Sequence, residues 1–229
     1  MASLVLAAAF FAGIHVFVSG TALRGAIVSR IGENAFRGLF SIASLAAIWW
    51  MARAYAAAPT VALWTPPPGA SRALALVLVA LAFALVVIGL ATPSPTVVGG
   101  EAQLAKTSDE PARGILRITR HPFLTGVALW AIAHLVANGD AASVVLFGTF
   151  LGVAALGPFL IDRKRRAALG AAWDPFARAT SVVPFAAIAA GRNRLALREI
   201  GAGRLAAAAA AYAILLASHR ALFGVSPLP

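Results

Sequence analysis

The sequence predicts an all-α integral membrane protein: a bundle of about six transmembrane helices with an interfacial segment on the cytoplasmic side. Of its 229 residues, 61% are hydrophobic and only 12% are charged, whereas soluble domains average about 25% charged residues. The apolar residues also form nearly uncharged blocks, most of them close to the roughly 20 residues that cross a bilayer. These blocks are residues 2–19, 38–52, 73–92, 123–137, 143–161 and 205–218. We interpret residues 1–229 as one transmembrane domain.

The first block, LVLAAAFFAGIHVFVSG, has two interpretations. It is short and ends in small residues, as cleaved signal peptides do. It lacks a basic n-region, however, and carries a histidine within its apolar run. We therefore expect a retained helix.

Turn signals separate the other blocks. Helix two follows RIGENAFRG and ends near Trp49, Trp50 and Tyr55, aromatics typical of a membrane interface. The prolines of TPPPGASR exclude a helix and predict a short outer loop before helix three, which ends at ATPSPTVVGG. A polar inner loop then extends to Arg120. Helix four ends at NGD, which predicts a tight hairpin into helix five, and the alanine-rich helix six begins near residue 205.

The longest stretch without a predicted span is residues 162–204. Its core, DPFARATSVVPFAAIAAGRNR, mixes aromatic, aliphatic and arginine residues. This mixture is typical of a segment that lies in the membrane interface.

The basic residues are distributed unevenly. If all six blocks cross the membrane, all but three of the 19 lysines and arginines fall on one side, which the positive-inside rule makes cytoplasmic. Both termini would then be periplasmic in a bacterial inner membrane. The net charge of +11 is thus a topology signal, helped by anionic lipid. We expect the lipid bilayer as partner, together with a hydrophobic small molecule, and no nucleic acid.

The four histidines, His15, His121, His134 and His219, lie in or beside apolar blocks, where ionisable groups are costly and usually have partners or ligands. No aspartate, glutamate or lysine lies within a block, and cysteine is absent. Histidines on separate helices, without thiolate or carboxylate, suit haem iron better than zinc or a hard cation. The alternative for each is a neutral imidazole bonded to a backbone carbonyl on a neighbouring helix.

Depth restricts which histidines can share one iron. At about 1.5 Å rise per residue, His121 and His134 are about 20 Å apart on helix four and cannot. Depth pairs His15 with His121, and His134 with His219. A His15–His134 pair would be offset by roughly 7–12 Å and needs tilted helices.

One stripe of helix four carries Trp130, His134 and Asn138, which recur at i, i+4 and i+8. The small residues Gly126 and Ala133 permit close approach of a helix or a macrocycle. This stripe is the candidate haem surface, although such a stripe is usually plain packing.

The beginning of the same helix, TRHPFLTG, carries a second candidate site. Arg120 and His121 precede a proline at the first helical position, so two cationic side chains and free N–H groups suit an anion. The alternative is that Arg120 extends to lipid phosphate.

Several segments together resemble the NnrU family of membrane proteins: GIHVFVSGTALRG, GENAFRGLFSIASLAAI, ITRHPFLTGVALWAIAHLVANGD, ATSVVPFAAIAAGR, REIGAGR and HRALFGVSPLP. The family takes its name from genes linked to bacterial nitrite and nitric oxide reduction, and it includes the plant 15-cis-zeta-carotene isomerase, which uses haem b. The resemblance implies haem b held by His15 in IHVFVSG and His134 in AIAHLVANG. The isomerase has a cysteine three positions before the second histidine, where this chain has Ala131.

A looser resemblance is to isoprenylcysteine and phospholipid methyltransferases. Their corresponding segments bind S-adenosylmethionine and are similar to RHP and DRKRRAALGAAWDPFARATSVVPF here. Asp162 and Trp173 stand where those enzymes usually have glutamate and tyrosine. It implies an alternative function, a membrane methyltransferase whose cofactor lies near Arg120, His121 and Asp162. A third alternative is a non-catalytic assembly factor with structural histidines.

Overall fold

The computed structural model describes residues 1–97, 100 and 111–228, and within these ranges the fold is helical, without a β-strand. Short 3₁₀ turns at Gly114–Arg117, Gly170–Trp173 and Leu197–Glu199 connect the α-helices. The α-helices are α1 (Ala2–Gly13, continued by a π-helical turn at Ile14–Val18), α2 (Leu23–Ile31), α3 (Glu33–Ala56), α4 (Ala70–Leu90), α5 (Pro122–Ala137), α6 (Ala141–Leu169), α7 (Asp174–Ala179), α8 (Ala186–Ala189) and α9 (Ala202–Phe223).

The all-α membrane architecture is confirmed, but the count of six spans is not. Among the described residues, α3, α4, α6 and α9 are long and apolar enough to cross a membrane. The α1–α2 pair makes a fifth candidate only if both helices count as one span bent by 82°. Helix α5 has 16 residues and falls short of the usual length.

The outer faces of these helices are apolar. Ile42, Leu45, Phe159 and Ile214 belong to α3, α6 and α9, and each is at least 65% exposed. A soluble protein rarely exposes so much contiguous apolar surface, so the helices suit a lipid environment.

The connection between the first two predicted spans is more helical than the sequence suggested. The charged residues at 24–37 interrupt the run of apolar residues, but most of this stretch is still helical. The helix breaks at Gly32, whose φ of +84° ends α2. Glu33 then begins α3 and pairs with Arg24 and Arg37 at 2.5 and 2.8 Å. Helix α2 is therefore a separate short helix, turned away from α1.

The turn from α1 into α2 occurs at a close contact with α6. A Cβ on Gly20 would lie 2.2 Å from the carbonyl oxygen of Val16 and 2.9 Å from Leu160. Arg163 and Lys164 of α6 donate to the carbonyls of Gly20 and Ser19 at 3.0 and 2.6 Å. These cations neutralise the carbonyl end of α1. We call this end of the bundle the basic side.

Helices α4, α5 and α6 pack side by side and form the centre of the bundle. Gly126 of α5 lies against Ala82 and Val86 of α4, where a Cβ would be 2.8 Å from the Ala82 carbonyl oxygen and 2.6 Å from the Val86 side chain. The predicted close approach at Gly126 therefore belongs to a neighbouring helix. Helix α6 also packs against α1, and α9 packs against α4, where the Tyr212 hydroxyl donates to the Leu76 carbonyl at 3.1 Å.

The predicted hairpin at NGD is present on the side opposite the basic side. Asp140 caps α6 by accepting from the Ser143 amide at 2.9 Å. The backbone of residues 61–64 pairs with residues 139–141, with Leu63 N donating to Gly139 O at 2.7 Å. Tyr55, which was expected at this end of helix two, lies beside the hairpin, and its hydroxyl bonds Ser143 Oγ at 2.9 Å.

The predicted interfacial segment begins later than expected, because α6 continues to Leu169 rather than ending near residue 161. Its aromatic residues Trp173 and Phe176 are buried, each only 1% exposed. They form a core on the basic side with Ile88, Ile115, Leu116, Ile200 and Ala208. The segment is thus a folded cap on the basic side. The predicted polar loop before Arg120 lies partly outside the described residues.

Candidate functional site

Three rings from three helices form a layer across the bundle, which we call the aromatic layer: Phe11 of α1, Phe150 of α6 and Trp130 of α5. The ring centroids of Phe11 and Phe150 are 5.1 Å apart, and those of Phe150 and Trp130 are 5.3 Å apart. Tilted and edge-to-face contacts at these distances are favourable. The layer fixes the relative height of three helices, so it provides a reference for the two predicted haem ligands.

His15 is held against this layer from the side of α1. Its Nδ1 lies 2.8 Å from the Phe11 carbonyl, one turn back along the helix. Its ring lies 4.2 Å from the Phe11 ring and 5.1 Å from that of Phe40 on α3. With Nδ1–H donating to the carbonyl, the lone pair of the imidazole belongs to Nε2, which makes no hydrogen bond with any described residue.

His134 repeats this arrangement on α5. Its Nδ1 lies 2.8 Å from the Trp130 carbonyl, and its ring is 4.9 Å from the Trp130 ring and 4.5 Å from Phe147, on which it stacks. Its Nε2 is likewise without a hydrogen bond to the part of the chain that the structure describes. Both histidines therefore have the tautomer and orientation of an Nε2 metal ligand.

The two imidazoles approach the aromatic layer from opposite sides. Helix α1 runs towards the basic side and α5 runs away from it, so His15 lies one turn below the layer and His134 one turn above it. Two helical turns amount to about 11 Å along the bundle. Side chains lean towards the N-terminus of their own helix, which brings both rings back towards the layer and reduces this offset.

The chemistry of the two donors suits haem b, and binding would require the aromatic layer to part so that both Nε2 atoms reach one iron. Each histidine is a neutral imidazole held through Nδ1, and the neighbouring rings are flat and apolar, as the faces of a porphyrin require. Ser44 of α3 lies on the same helical stripe as Phe40, and its buried Oγ has no hydrogen-bond partner among the described residues. Across the described residues, no cluster of three or more histidine, aspartate or glutamate side chains suits a metal ion.

The other members of the predicted stripe are placed differently. Asn138 is at the end of α5 in an extended conformation, so the stripe stops at His134. Ala133 is fully buried. His219 of α9 lies within electrostatic range of His134, as depth predicted, and its Nδ1 bonds the Val225 carbonyl at 2.9 Å.

Three predicted residues of the basic side come together in a cluster that we call the Asp162 triad: Arg120, His121 and Asp162. His121 Nε2 lies 2.8 Å from one carboxylate oxygen of Asp162, and Arg120 Nε lies 3.1 Å from the other. Arg120 also donates to the Ala177 carbonyl at 3.0 Å. Arg120 and His121 were predicted to bind an anion, and in the structure the carboxylate of Asp162 is that anion.

The triad is largely buried, and this burial affects the ionisation of Arg120. His121 is only 3% exposed, and desolvation lowers the pKa of Arg120, although the charge of Asp162 opposes this shift. A histidine oriented by a carboxylate is a common arrangement for a general base. Here the arrangement also fastens the beginning of α5 to α6.

A second ion pair on the basic side was not predicted. Glu199 accepts from Nε and NH2 of Arg117 and from the Gly114 amide, each at 2.8 Å. The hydrogen bonds from Arg117 are the main reason why the pKa of Glu199 lies below its ordinary value. Sequence separation concealed this pair, since the partners are 82 positions apart in the chain.

Comparisons with known proteins agree with the predicted resemblance. The family model described as NnrU protein matches residues 3–227. Two curated relatives, both named 15-cis-zeta-carotene isomerase, chloroplastic, are 37% identical in Zea mays and 34% identical in Arabidopsis thaliana over 82 residues. The matched part is 36% of this chain but only 22% of each relative. No solved structure matches the chain significantly.

Proposed function

Because the chain belongs to the NnrU protein family, we propose that it is a multi-pass membrane protein that binds haem b between α1, α5 and α6. Its role would be isomerase-like, as the names of its relatives suggest, or linked to denitrification, as the family name implies. The relatives are matched over a fifth of their length, so their activity comes to this chain only as part of this proposal.

One observation carries the proposal: His15 and His134 are held through Nδ1 on either side of the aromatic layer, with Nε2 of both unbonded among the described residues. A helical histidine that serves only as packing also satisfies Nδ1 in this way, so the feature that supports the proposal is the second nitrogen, Nε2, which is left available on both rings. In ligand histidines the hydrogen bond at Nδ1 fixes both the tautomer and the ring plane.

The surrounding residues determine which substrate the site would accept. Bound haem b would supply an iron whose potential the protein tunes through its axial ligands and its apolar surroundings. Phe11, Phe150 and Trp130 exclude water and offer flat apolar faces. A hydrophobic small molecule that enters from the bilayer, such as a conjugated hydrocarbon, suits these faces better than a charged metabolite.

The distribution of charge supports an orientation for the bundle. We place the basic side in the cytoplasm and both termini in the periplasm of a bacterial inner membrane. His134 and His219 then lie towards the periplasm, and the Asp162 triad lies at the cytoplasmic face.

The absorption spectrum of the purified full chain in mild detergent tests haem binding. We expect a Soret band that His15→Ala and His134→Ala abolish or shift, while His121→Ala, a histidine outside the aromatic layer, retains it. A colourless protein that takes up no added haemin would refute the proposal. A band lost only in His219→Ala and His134→Ala would replace His15 by His219 as the second ligand.

A methyltransferase is the second candidate, because Arg120, His121 and Asp162 form one connected cluster. Radiolabelled S-adenosylmethionine that binds the wild type but not Arg120→Ala would favour it. Absence of both cofactors, with normal function in each single histidine variant, would instead favour a non-catalytic assembly factor.

A further inference from the structure

The basic side contains a cavity of about 470 Å³ that neither haem nor the Asp162 triad uses. It lies between the chain before the Gly114–Arg117 turn, the end of α7 and the loop that follows α8. Its volume is within the roughly 300–1,000 Å³ of small-molecule sites. Its lining residues are Pro111, Ala112, Arg117, Ala179, Gly191, Arg192, Asn193 and Arg194.

The wall of this cavity is fixed by hydrogen bonds. Asn193 Nδ2 donates to the carbonyls of Arg117 and Ala179 at 3.2 and 2.5 Å. Arg192 NH1 donates to the carbonyls of Arg178 and Thr180 at 2.7 and 3.1 Å. The loop is therefore anchored to two other segments, and this preorganisation reduces the entropy lost on binding.

Among the described residues, the side chains that line the cavity include three arginines and no acidic group. Glu199 pairs with one of them, Arg117, through two hydrogen bonds at 2.8 Å and also accepts from the Gly114 amide. Arg192 and Arg194 line the cavity, and Arg194 makes no hydrogen bond or ion pair at short range with the residues that the structure describes. Two guanidinium groups beside one cavity are a typical recognition pattern for a phosphate group.

We propose that this cavity binds a ligand that carries a phosphate group, through Arg192 and Arg194. The cavity lies on the basic side, and the chain between α7 and α8, which starts at its wall, exposes Val183 and Phe185 by 66% and 51%. Such apolar side chains suit contact with a bilayer, so the phosphate belongs to an anionic lipid headgroup or to a soluble phosphate compound that reaches the same arginines.

The test uses the full chain in a zwitterionic detergent and two probes, inorganic phosphate and short-chain phosphatidylglycerol, titrated by calorimetry. We expect at least one probe to bind, and Arg194→Gln to weaken it about tenfold or more, as expected when one charge-assisted hydrogen bond is lost. Arg30→Gln, an exposed arginine of α2, is the matched control and should bind as the wild type does. Binding of phosphatidylglycerol alone assigns a lipid headgroup, and competition by inorganic phosphate assigns a soluble ligand.

Arg192→Gln is a second test, but it also removes two hydrogen bonds of the loop. Arg194→Gln is the primary variant, because its side chain makes no hydrogen bond with the described residues and acts on Glu199 only through its charge. Failure of both probes to bind the wild type would overturn the proposal. Equal affinity of the wild type, Arg194→Gln and Arg194→Lys would overturn it as well. Neither outcome depends on the haem spectrum, so this proposal and the proposed function fail independently.

Discussion

Replacing Glu199 by glutamine should destabilise the protein more than its position in a 3₁₀ turn suggests. The carboxylate accepts three hydrogen bonds of 2.8 Å, two from Arg117 and one from the Gly114 amide. The side chain of Arg117 is only 5% exposed. Glutamine keeps the size but removes the charge, so the buried guanidinium of Arg117 loses the attraction of this carboxylate.

The expected cost follows from the burial of the two partners. Removing one partner of a fully buried ion pair costs about 3–5 kcal/mol. The Glu199 side chain is 31% exposed, and water reaching it reduces the loss, so we expect about 2 kcal/mol. Glu33→Gln is the matched control, because its partners Arg24 and Arg37 are 31% and 42% exposed. It should cost under about 1 kcal/mol.

The same pair predicts a pH dependence. The pKa of folded Glu199 lies below its ordinary value, chiefly because of the hydrogen bonds from Arg117. Its contribution to stability is therefore complete above the unfolded pKa of about 4.3. It is lost as the pH falls through the folded pKa.

Thermal unfolding in detergent, followed by circular dichroism between neutral and acidic pH, measures both effects. Wild type and Glu33→Gln should lose stability more steeply on acidification than Glu199→Gln, which starts lower. If Glu199→Gln melts like the wild type at neutral pH, or keeps the full acid dependence, the assignment of this pair as a stabilising contact is wrong.

Three further substitutions test other contacts by the same unfolding measurement. Asp162→Asn leaves Arg120 and His121 without their counterion and should cost about 2–4 kcal/mol; an unchanged melting temperature would contradict the triad. Gly126→Leu places atoms against the Ala82 carbonyl and should cost about 1–3 kcal/mol or more, whereas Gly148→Leu, with open space around its Cβ position, should not. Asp140→Ala removes the cap of α6 and should cost about 1 kcal/mol; unchanged stability would argue against this role.

The helical membrane fold followed from composition because the cost of placing charge in lipid is a property of each residue. The hairpin at Asp140 followed from local turn chemistry. The bend between α1 and α2 and the extension of α6 to Leu169 did not, because charged residues outside the hydrocarbon continue a helix as readily as they end one. Hydropathy marks where lipid ends, whereas backbone hydrogen bonds mark where a helix ends.

The candidate site was predictable to a smaller extent. Scarcity of ionisable groups pointed to all four histidines, the family resemblance selected His15 and His134 among them, and the TRH motif pointed to Arg120 and His121. Asp162 was named only through the looser resemblance to methyltransferases, and the contacts themselves were not apparent. Helix α6 brings Phe147 to His134 and Asp162 to Arg120 and His121, and only helix packing sets that register. Ser44 had no distinguishing signal among the small residues of α3.

Helix α5 has 16 residues and spans about 24 Å, some 6 Å less than a typical hydrocarbon core of about 30 Å. Hydrophobic mismatch of this size makes the bilayer thinner around the helix or draws polar groups below the headgroups. Because α5 begins beside the Asp162 triad and ends one turn beyond His134, lipids of shorter acyl chain match it best. In a thicker membrane, water and solutes would therefore have to reach deeper to contact the two ends of this helix.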